Sequence, residues 1–252
     1  MSNPRTEQIG HAYDQLFKDG YFNEKKGDNS SYLYGLLANQ IPETTSSILE
    51  VGPAGGIFME KLLKEKQAIR HVTLVEISRE SLIASEKRLK TIIESRNGTV
   101  VAIPDDILHA YPDLHKYDAV IASYMGEYVS DQISPEQYIE RLLELVKPRG
   151  VLVYADMVST GGQKLMKPDL LCDFWKLRSA YQKAGRSLPV MGLFKSLLLM
   201  GLYAQPSFKK LDKYHEQYDF PENAWKAVAA AYPGSSLVFP TSITGILTIP
   251  KR

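Results

Sequence analysis

A glycine-rich turn is the feature of this sequence whose residue types and spacing best suit ligand chemistry. The stretch Ile48–Gly56 reads ILEVGPAGG, and it lies between an apolar run that predicts a strand and a periodic run, 58–67, that predicts a helix. Glycines there let the backbone approach a ligand closely, and a helix N-terminus presents unpaired amide groups. Many α/β proteins need a glycine turn between a strand and a helix for structural reasons alone, so this turn by itself leaves both interpretations open.

An acidic residue follows this turn at an informative spacing. Glu76 ends the β-branched run 72–76 and lies 24 residues beyond Gly52. An acid about 20 residues past a glycine turn can accept hydrogen bonds from ribose hydroxyls. A solvated charge at a strand end is the plain alternative. The conjunction of the acid with the glycine turn favours a nucleoside-binding site.

The elements that must position these residues alternate along the chain. Helical periodicity separates short runs of Ile, Val and Leu, and the runs are continuous, as is typical of strands covered on both faces. This alternation predicts a parallel α/β sheet with right-handed crossovers. The runs that predict strands are 47–51, 72–76, 99–103, 118–122, 151–155, 210–220 and 242–249.

On this pattern the chain divides into four stretches. Residues 1–45 predict N-terminal helices, and residues 46–157 contain the glycine turn and the first five strands. Residues 158–208 carry aromatic, Met, Gly and Pro residues between apolar helical pieces, which predicts a helical lid insertion packed over one end of the sheet. Residues 209–252 return to the core sheet. The pair Gly161–Gly162 offers permissive backbone for a hinge of the lid.

Composition limits the classes of function. The 252 residues are 44% hydrophobic and 23% charged, which is ordinary for a globular protein and excludes disorder and fibrous repeats. The net charge is +1, so no broad basic field favours a nucleic-acid partner. The single Cys172 excludes an internal disulfide and a multi-cysteine metal site. We expect a cytoplasmic protein without membrane attachment, because no apolar run approaches the ~20 residues that span a bilayer.

Taken in order, the motifs resemble the class I S-adenosylmethionine (SAM) dependent methyltransferases. ILEVGPAGG is similar to that family's E/D-x-G-x-G-x-G signature at Glu50, Gly52 and Gly56, with Ala54 in place of a glycine. HVTLVEIS resembles its ribose-binding strand, KYDAVIASYMGEYV its strand and loop beside the methionine end of the cofactor, and LLELVKPRGVLVYADM its L-K-P-G-G-x-L element. IPDDI resembles its G-D-A element, with Asp106 at the position beside the adenine amino group.

The resemblance implies a Rossmann-like, doubly wound sheet of seven strands with an antiparallel last strand, N-terminal helices and a helical lid insertion. It implies SAM as cofactor and S-adenosyl-L-homocysteine (SAH) as product. A nicotinamide-dependent enzyme shares the glycine turn and the acid, but the Asp106 element and the terminal strand favour the methyltransferase. The residues that the resemblance places at the cofactor are Glu50, Gly52, Pro53, Ala54, Gly56, Glu76, Ile77, Asp106, Ile107, Ser123 and Tyr124.

Candidate catalytic residues lie where the sheet opens. Tyr124 and Glu127 follow the fourth strand, and Asp156 ends the fifth. The sulfonium methyl group of SAM is already activated, so transfer depends on positioning, and a general base helps only where the acceptor loses a proton. Each candidate also has a structural alternative. The Tyr124 ring can line an apolar wall, Glu127 can point into solvent, and Asp156 can cap the next helix.

Aromatic side chains are the candidates for binding the methyl acceptor. Tyr13 lies on the N-terminal segment beside His11, and this segment can fold over the cofactor. We expect no metal, because the Asn of a catechol-type metal site does not follow Asp156 and the histidines lack ligand spacing. The aromatic candidates are Tyr13, Tyr128, Trp175 and Phe194.

The sequence therefore predicts a SAM-dependent methyltransferase that acts on an O, N or C atom of a small molecule. Methylation of a macromolecule is the alternative within the family. A second alternative is a SAM-fold protein that uses the cofactor for other chemistry, such as a cyclisation, or for regulation. The apolar stretch LLLMGLY, 197–203, is either part of the lid's own packing or a homodimer contact.

Overall fold

Seven strands form one sheet in the order β3-β2-β1-β4-β5-β7-β6. The structure, a computed structural model, describes residues 4–18, 28–129, 132–158, 220–241 and 244–252. β7 pairs antiparallel with both of its neighbours, and the pairs among β1 to β5 are parallel. The strands are β1 (Ser47–Val51), β2 (His71–Val75), β3 (Thr99–Ile103), β4 (Tyr117–Ser123), β5 (Val146–Met157), β6 (Ser236–Thr241) and β7 (Thr244–Pro250). The predicted Rossmann-like architecture with an antiparallel last strand is confirmed.

Eight α-helices connect or flank these strands in the described residues. They are α1 (Pro4–Lys18), α2 (Asp28–Asn39), α3 (Ile57–Glu65), α4 (Arg79–Glu94), α5 (Ile107–Ala110), α6 (Gly126–Val129), α7 (Pro135–Glu144) and α8 (Glu222–Ala231). The predicted start of α7 is confirmed: the Ser134 hydroxyl accepts the Gln137 amide, the Gln137 side chain accepts the Ser134 amide, and Pro135 occupies the first turn. None of the described helices is long and apolar enough to cross a membrane.

The core lies on both faces of the sheet, as the continuous apolar strands predict. One cluster joins β4 and β5 to α7 and α8, where the Tyr154 ring stacks on Trp225 at 5.3 Å. The other cluster joins β1 and β2 to α2, α3 and α4 through side chains such as Leu62 and Leu89. Because the central strands are covered on both faces, ligands can reach them only at the ends of the strands.

The sixth strand differs from the sequence-based expectation. β6 occupies 236–241, whereas the sequence analysis assigned a strand to 210–220 and none to 236–241. Residues 210–219 lie outside the described residues, as do the predicted lid hinge and all but Val158 of the predicted lid. β6 is an edge strand with Val238 45% exposed, and it contains Pro240. Edge strands tolerate proline and exposure, so their sequences lack the strong apolar signal of central strands.

The amino ends of the central strands are tied together by a carboxylate. Asp118 Oδ2 accepts hydrogen bonds from the Ser46 amide (3.0 Å), the Ser46 hydroxyl (2.7 Å) and the Ser47 amide (2.8 Å). Its Oδ1 accepts from Lys147 Nζ at 2.9 Å. Asp118 therefore joins β1, β4 and β5 at the edge opposite the predicted binding residues.

Candidate functional site

Four loops meet at the carboxyl ends of the parallel strands, which we call the carboxyl edge of the sheet. Because β1, β2, β3 and β4 are parallel neighbours, the segments that follow them converge there. These segments contain the glycine turn, Glu76, Asp106 and Tyr124, which are the chemistry-bearing positions of the sequence. Helix α1 lies across the same edge, since Thr6 Oγ1 contacts Asp106 Oδ2 at 3.1 Å.

The glycine turn is held in a left-handed conformation. The φ angles of Gly52, Gly55 and Gly56 are +72°, +87° and +74°, a region that glycine adopts without strain. Ala54, which replaces a glycine of the family signature, also has a positive φ of +45°. A Cβ on Gly52 would lie 2.5 Å from the sulfur of Met125, so the turn needs a bare backbone at this point. The turn thus combines a backbone conformation that favours glycine with close packing against the Met125 side chain.

Glu76 is buried beside this turn, with its carboxylate held by the start of α4. Oε1 accepts the Ser78 amide at 3.0 Å, and Oε2 accepts the Ser81 hydroxyl at 3.2 Å. Burial raises the pKa of Glu76, and the hydrogen bonds from Ser78, Ser81 and the Ala54 amide oppose that rise. The carboxylate is fixed where the sequence predicted a ribose acceptor.

Glu50 is a second buried carboxyl group at this edge. It is 5% exposed, and its Oε2 has no hydrogen-bond partner among the described residues. Burial, followed by the charge of Glu76, raises the pKa of Glu50 to about 8. An unpartnered buried carboxyl next to a second carboxylate is costly in isolation and is suited to a cationic ligand group.

An apolar pocket lies between the loops that follow β2 and β3. Ile77 and Ile107, the residues predicted to sandwich an adenine ring, both line it. Asp106 borders the pocket and caps α5, since its Oδ1 accepts the Leu108 amide at 2.9 Å. Its Oδ2 accepts the Thr6 hydroxyl. The structure therefore brings together the three residues of the predicted adenine subsite.

Tyrosines and a methionine occupy the loop after β4. Tyr124 has a left-handed backbone, φ +57°, and its hydroxyl lies 3.3 Å from Thr244 Oγ1. The Tyr128 ring is buried, and its hydroxyl accepts a hydrogen bond from the Tyr13 hydroxyl at 2.7 Å. Met125 lines the same pocket as Tyr128 and reaches Gly52. This loop closes the end of the site that faces the glycine turn.

Asp156 is fully buried at the end of β5 and accepts two hydrogen bonds. Its Oδ2 accepts from the Gly126 amide at 2.5 Å and from the Tyr154 hydroxyl at 2.7 Å. Ser123 ends β4 and pairs in register with Ala155. Asp156 therefore holds the first residue of α6, the short helix that carries Tyr128.

Some predicted site residues lie outside the part of the chain that the structure describes, and others lie away from the pocket. Trp175 and Phe194 lie outside the described residues, and the side chain of Glu127 is not described. His11 is on α1 with an exposed side chain. Pro53 is buried within the glycine turn. Among the described residues, no group of three or more His, Cys, Asp or Glu side chains could hold a metal ion.

The sequence analysis missed Thr6, Ile9 and Met125, which line the pocket together with Ile77 and Asp106. Met125 lies inside the stretch that resembles the methionine-end loop, but a methionine carries no diagnostic chemistry. Thr6 and Ile9 share one face of α1, and their three-residue spacing was the available signal. That spacing does not reveal where the helix docks.

Solved structures identify the class of fold. The chain is similar to an O-methyltransferase family protein from Burkholderia thailandensis, with 12% identity and a TM-score of 0.58 over 94% of this chain and 59% of that one. It is similar to the N-methyltransferase NodS from Bradyrhizobium japonicum WM9 in complex with SAH, with 13% identity and a TM-score of 0.55 over 95% and 98%. It is also similar to the [4+2]-cyclase SpnF, with 18% identity and a TM-score of 0.53 over 100% and 98%. The fold is that of the class I SAM-dependent methyltransferases.

The family assignment follows from the sequence match. The methyltransferase domain family matches residues 21–186, about two thirds of the chain, and the chain belongs to that family. No curated protein matches the chain. The resemblance stated from the motifs is thereby confirmed, and SAM is the cofactor.

The residues present fit this cofactor. SAM carries a cationic ammonium and a sulfonium, and the site buries two carboxyl groups, one of which, Glu50, has an oxygen without a partner. The left-handed glycine turn presents bare backbone beneath the Met125 side chain, and Asp106 lines an apolar pocket with Ile77 and Ile107. Charge and hydrogen-bonding capacity therefore match the chemistry of this molecule.

Proposed function

We propose that this chain transfers a methyl group from SAM to an O, N or C atom of a small molecule. The observation that carries the proposal is the cover over the carboxyl edge. Helix α1 contacts the predicted adenine subsite through the Thr6–Asp106 hydrogen bond. It contacts the tyrosine-lined side through the Tyr13–Tyr128 hydrogen bond. A covered site of this kind suits an acceptor that fits inside it better than a long polymer.

The residues at the closed end support a role in positioning. When bound, SAM supplies an activated methyl group, so the protein must orient the acceptor and exclude water. The rings of Tyr124 and Tyr128 and the Met125 side chain offer an apolar wall with hydroxyl groups at its rim. Asp156 is buried with two donors, which favours a role in holding α6 over a role in accepting a proton. Glu127 stays the candidate for a base.

The predicted lid belongs to this proposal as well. Residues 158–208 directly follow the strand that ends near Asp156, so they start at the edge where the acceptor must enter. We expect Trp175 and Phe194 to contact the acceptor. Truncating either ring to alanine should then raise the acceptor KM or lower kcat while SAM affinity stays nearly unchanged. Loss of thermal stability without a kinetic effect would assign the rings to the lid's own core.

Other chemistry on the same fold is the second candidate. The similarity to the [4+2]-cyclase SpnF extends over the whole of this chain and 98% of that one. The small RNA methyltransferase HEN1 is also similar, with a TM-score of 0.54, although this chain spans only 25% of its length. These likenesses concern the fold, so the test must distinguish a methylated small molecule, a methylated polymer and no methyl transfer.

The experiment follows the methyl group. SAM labelled in its methyl carbon is incubated with the protein and a metabolite extract, and the label is then sought by mass spectrometry in small molecules and in polymer fractions. The control is Glu76→Ala, which loses the buried acceptor and should bind SAM about 10- to 100-fold more weakly, the value of a hydrogen bond to a charged group. Label in a polymer fraction alone, or in no fraction despite SAM binding, would reject the proposal.

A further inference from the structure

Helix α1 contacts every loop that forms the cofactor edge. Its residues at spacings of three and four line up on one side, the docking face: Thr6, Ile9, Gly10, Tyr13, Asp14 and Phe17. The family match begins at residue 21, so α1 lies outside the segment whose role the family defines.

The first contact is polar and lies at the start of α4. Asp14 Oδ1 accepts the Ser78 hydroxyl at 2.7 Å and the Glu80 amide at 3.2 Å. An acid at a helix N-terminus is favourable, because it pairs with unsatisfied amides and with the positive end of the helix dipole. The amide of Ser78 is also a donor to Glu76. Asp14 thus contacts the same turn that fixes the ribose acceptor.

The second contact depends on the absence of a side chain. A Cβ on Gly10 would lie 2.9 Å from the carbonyl oxygen of Ile77, closer than real side chains come to backbone. Gly10 therefore lets α1 lie directly on the residue that forms one wall of the adenine pocket. Any larger residue at this position would push the helix away from that wall.

The third contact is within the adenine subsite. The Thr6 hydroxyl donates to Asp106 Oδ2, while Asp106 Oδ1 is taken by the Leu108 amide. A carboxylate oxygen has two lone pairs, so Oδ2 keeps one acceptor position beyond the bond from Thr6. Ile9 lines the same pocket, which already has Ile77 and Ile107 as walls. The docking face thereby supplies an additional wall and a polar neighbour for the adenine acceptor.

Among the described side chains, the packing of α1 is separate from the main core. Its buried side chains Ile9 and Ala12 form a small cluster with Tyr128, and the partly buried members of that cluster include Ile77 and Met125. All partners of α1 in this cluster belong to the site. Elements with few buried apolar contacts detach at low free energy without unfolding of the rest.

We propose that α1 is part of the cofactor site, and that docking of α1 and binding of SAM or SAH form one coupled equilibrium in which Thr6 completes the adenine subsite. A bound adenosine group gains contacts with Thr6 and Ile9 only when α1 is docked, and by reciprocity it stabilises docking. Cofactor exchange then requires that α1 detach. The proposal rests on cofactor binding at this edge and is independent of the acceptor's identity.

The test combines a docking variant with a matched control. Gly10→Leu places a side chain against the Ile77 carbonyl, whereas Gly35→Leu alters a helical glycine with no neighbour within 4 Å of its Cβ position. SAH affinity is measured by calorimetry, and the hydrogen exchange of the α1 amides is measured with and without SAH. We expect SAH to slow exchange in α1 of the wild type and of Gly35→Leu. Gly10→Leu should lose that protection and bind SAH at least about tenfold more weakly.

A second pair of variants, at Thr6, keeps the test valid if Gly10→Leu fails to fold. Thr6→Val removes the hydroxyl at equal size, and Thr6→Ser retains it, so only the first should weaken SAH binding. Unchanged exchange of α1 on SAH binding, or equal SAH affinity in Thr6→Val and wild type, would overturn the coupling and leave the proposed function intact. A wild-type protein that does not bind SAH at all would overturn both.

Discussion

At the scale of single residues, the site is dominated by two buried carboxyl groups. Glu50 and Glu76 are 5% and 7% exposed, and burial raises the pKa of both. Their partners differ, because Glu76 receives hydrogen bonds from Ser78 and Ser81, whereas one oxygen of Glu50 has none. Glu76 is thus prepared as a fixed acceptor. We expect the positive charge of the ligand to compensate Glu50.

The raised pKa of Glu50 predicts a pH dependence of cofactor binding. Its pKa is about 8, so Glu50 is mainly protonated at pH 6, and a cationic ligand must release that proton to pair with it. SAH affinity should therefore rise with pH between pH 6 and 8, by up to about tenfold per unit. Glu50→Gln keeps the size and removes the ionisation, so its SAH affinity by calorimetry should be nearly independent of pH in that interval.

The same residue links pH to the stability of the ligand-free protein. The folded-state pKa lies above the ordinary value of 4.5, so the native state holds a proton that the unfolded state releases. Its contribution to stability is complete below pH 4.5 and is lost as pH rises to about 8. Unfolding of Glu50→Gln should lack this decline. A pH profile identical in wild type and variant would show that Glu50 ionises as freely as in solvent.

Asp106 gives a prediction about base recognition. An adenine amino group donates to its carboxylate, whereas the inosine analogue of SAH lacks that donor. Asp106→Ala should therefore weaken SAH by about 10- to 100-fold and the inosine analogue far less. Competition titrations of both ligands against wild type and variant measure the difference. Equal losses for the two ligands would mean that Asp106 supports the pocket only through its cap on α5.

At the scale of elements, the start of α4 links the two halves of the cofactor site. The Ser81 hydroxyl donates to Glu76 Oε2 at 3.2 Å and accepts the amide of Gly55 at 3.0 Å. From the same helix, Arg88 Nε donates to the Gly55 carbonyl at 3.0 Å. One helix therefore sets the distance between Glu76, the predicted ribose acceptor, and the glycine turn.

Ser81→Ala tests this link. The variant leaves one oxygen of Glu76 and the Gly55 amide without their shared partner, so SAH affinity should fall by about tenfold. Ser95→Ala is the matched control, because the Ser95 hydroxyl donates to the Ile92 carbonyl at the far end of the same helix. Circular dichroism checks that both variants are folded. Equal SAH affinities for the two variants would contradict the positioning role.

The elements also show what the sequence could reveal. The five parallel strands were predicted, because burial on both faces demands continuous apolar runs such as VTLVE and DAVIA. β6 was not predicted, since an edge strand with Pro240 carries little such signal. The glycine turn, Glu76 and Asp106 could be proposed as site residues because backbone geometry and charge constrain residue type, and the structure places them at one edge of the sheet. The sequence indicated that the N-terminal segment can fold over the cofactor, but not the contacts that dock α1, because pairs such as Thr6 and Asp106 are distant in sequence and ordinary in type.

At the scale of the whole molecule, the carboxyl edge and the amino edge of the sheet differ in the interactions they contain. The carboxyl edge contains two buried acids, Glu50 and Glu76, and burial of such groups costs stability. The amino edge accumulates satisfied interactions. There, burial tends to raise the pKa of Asp118, but hydrogen bonds from Lys147, Ser46 and Ser47 outweigh it and hold the pKa well below its ordinary range.

This division predicts that stability and cofactor binding can be separated by mutation at the amino edge. Asp118→Ala removes the acceptor of four hydrogen bonds that join β1, β4 and β5, and it should lower the free energy of unfolding by about 2–4 kcal/mol. SAH affinity of the folded variant should equal that of the wild type, because the cofactor residues lie at the opposite edge. Asp113→Ala, an exposed substitution near the same strand, is the control for denaturant unfolding and calorimetry.

The pH dependence of this loss has a definite sign. The folded-state pKa of Asp118 is lowered, so its contribution to stability is present at neutral pH and is lost as pH falls below the ordinary carboxyl range near 4. The stability difference between the wild type and Asp118→Ala should therefore be largest at neutral pH and shrink in acid. A variant that unfolds like the wild type at pH 7, or one that folds but no longer binds SAH, would show that the two edges do not act independently.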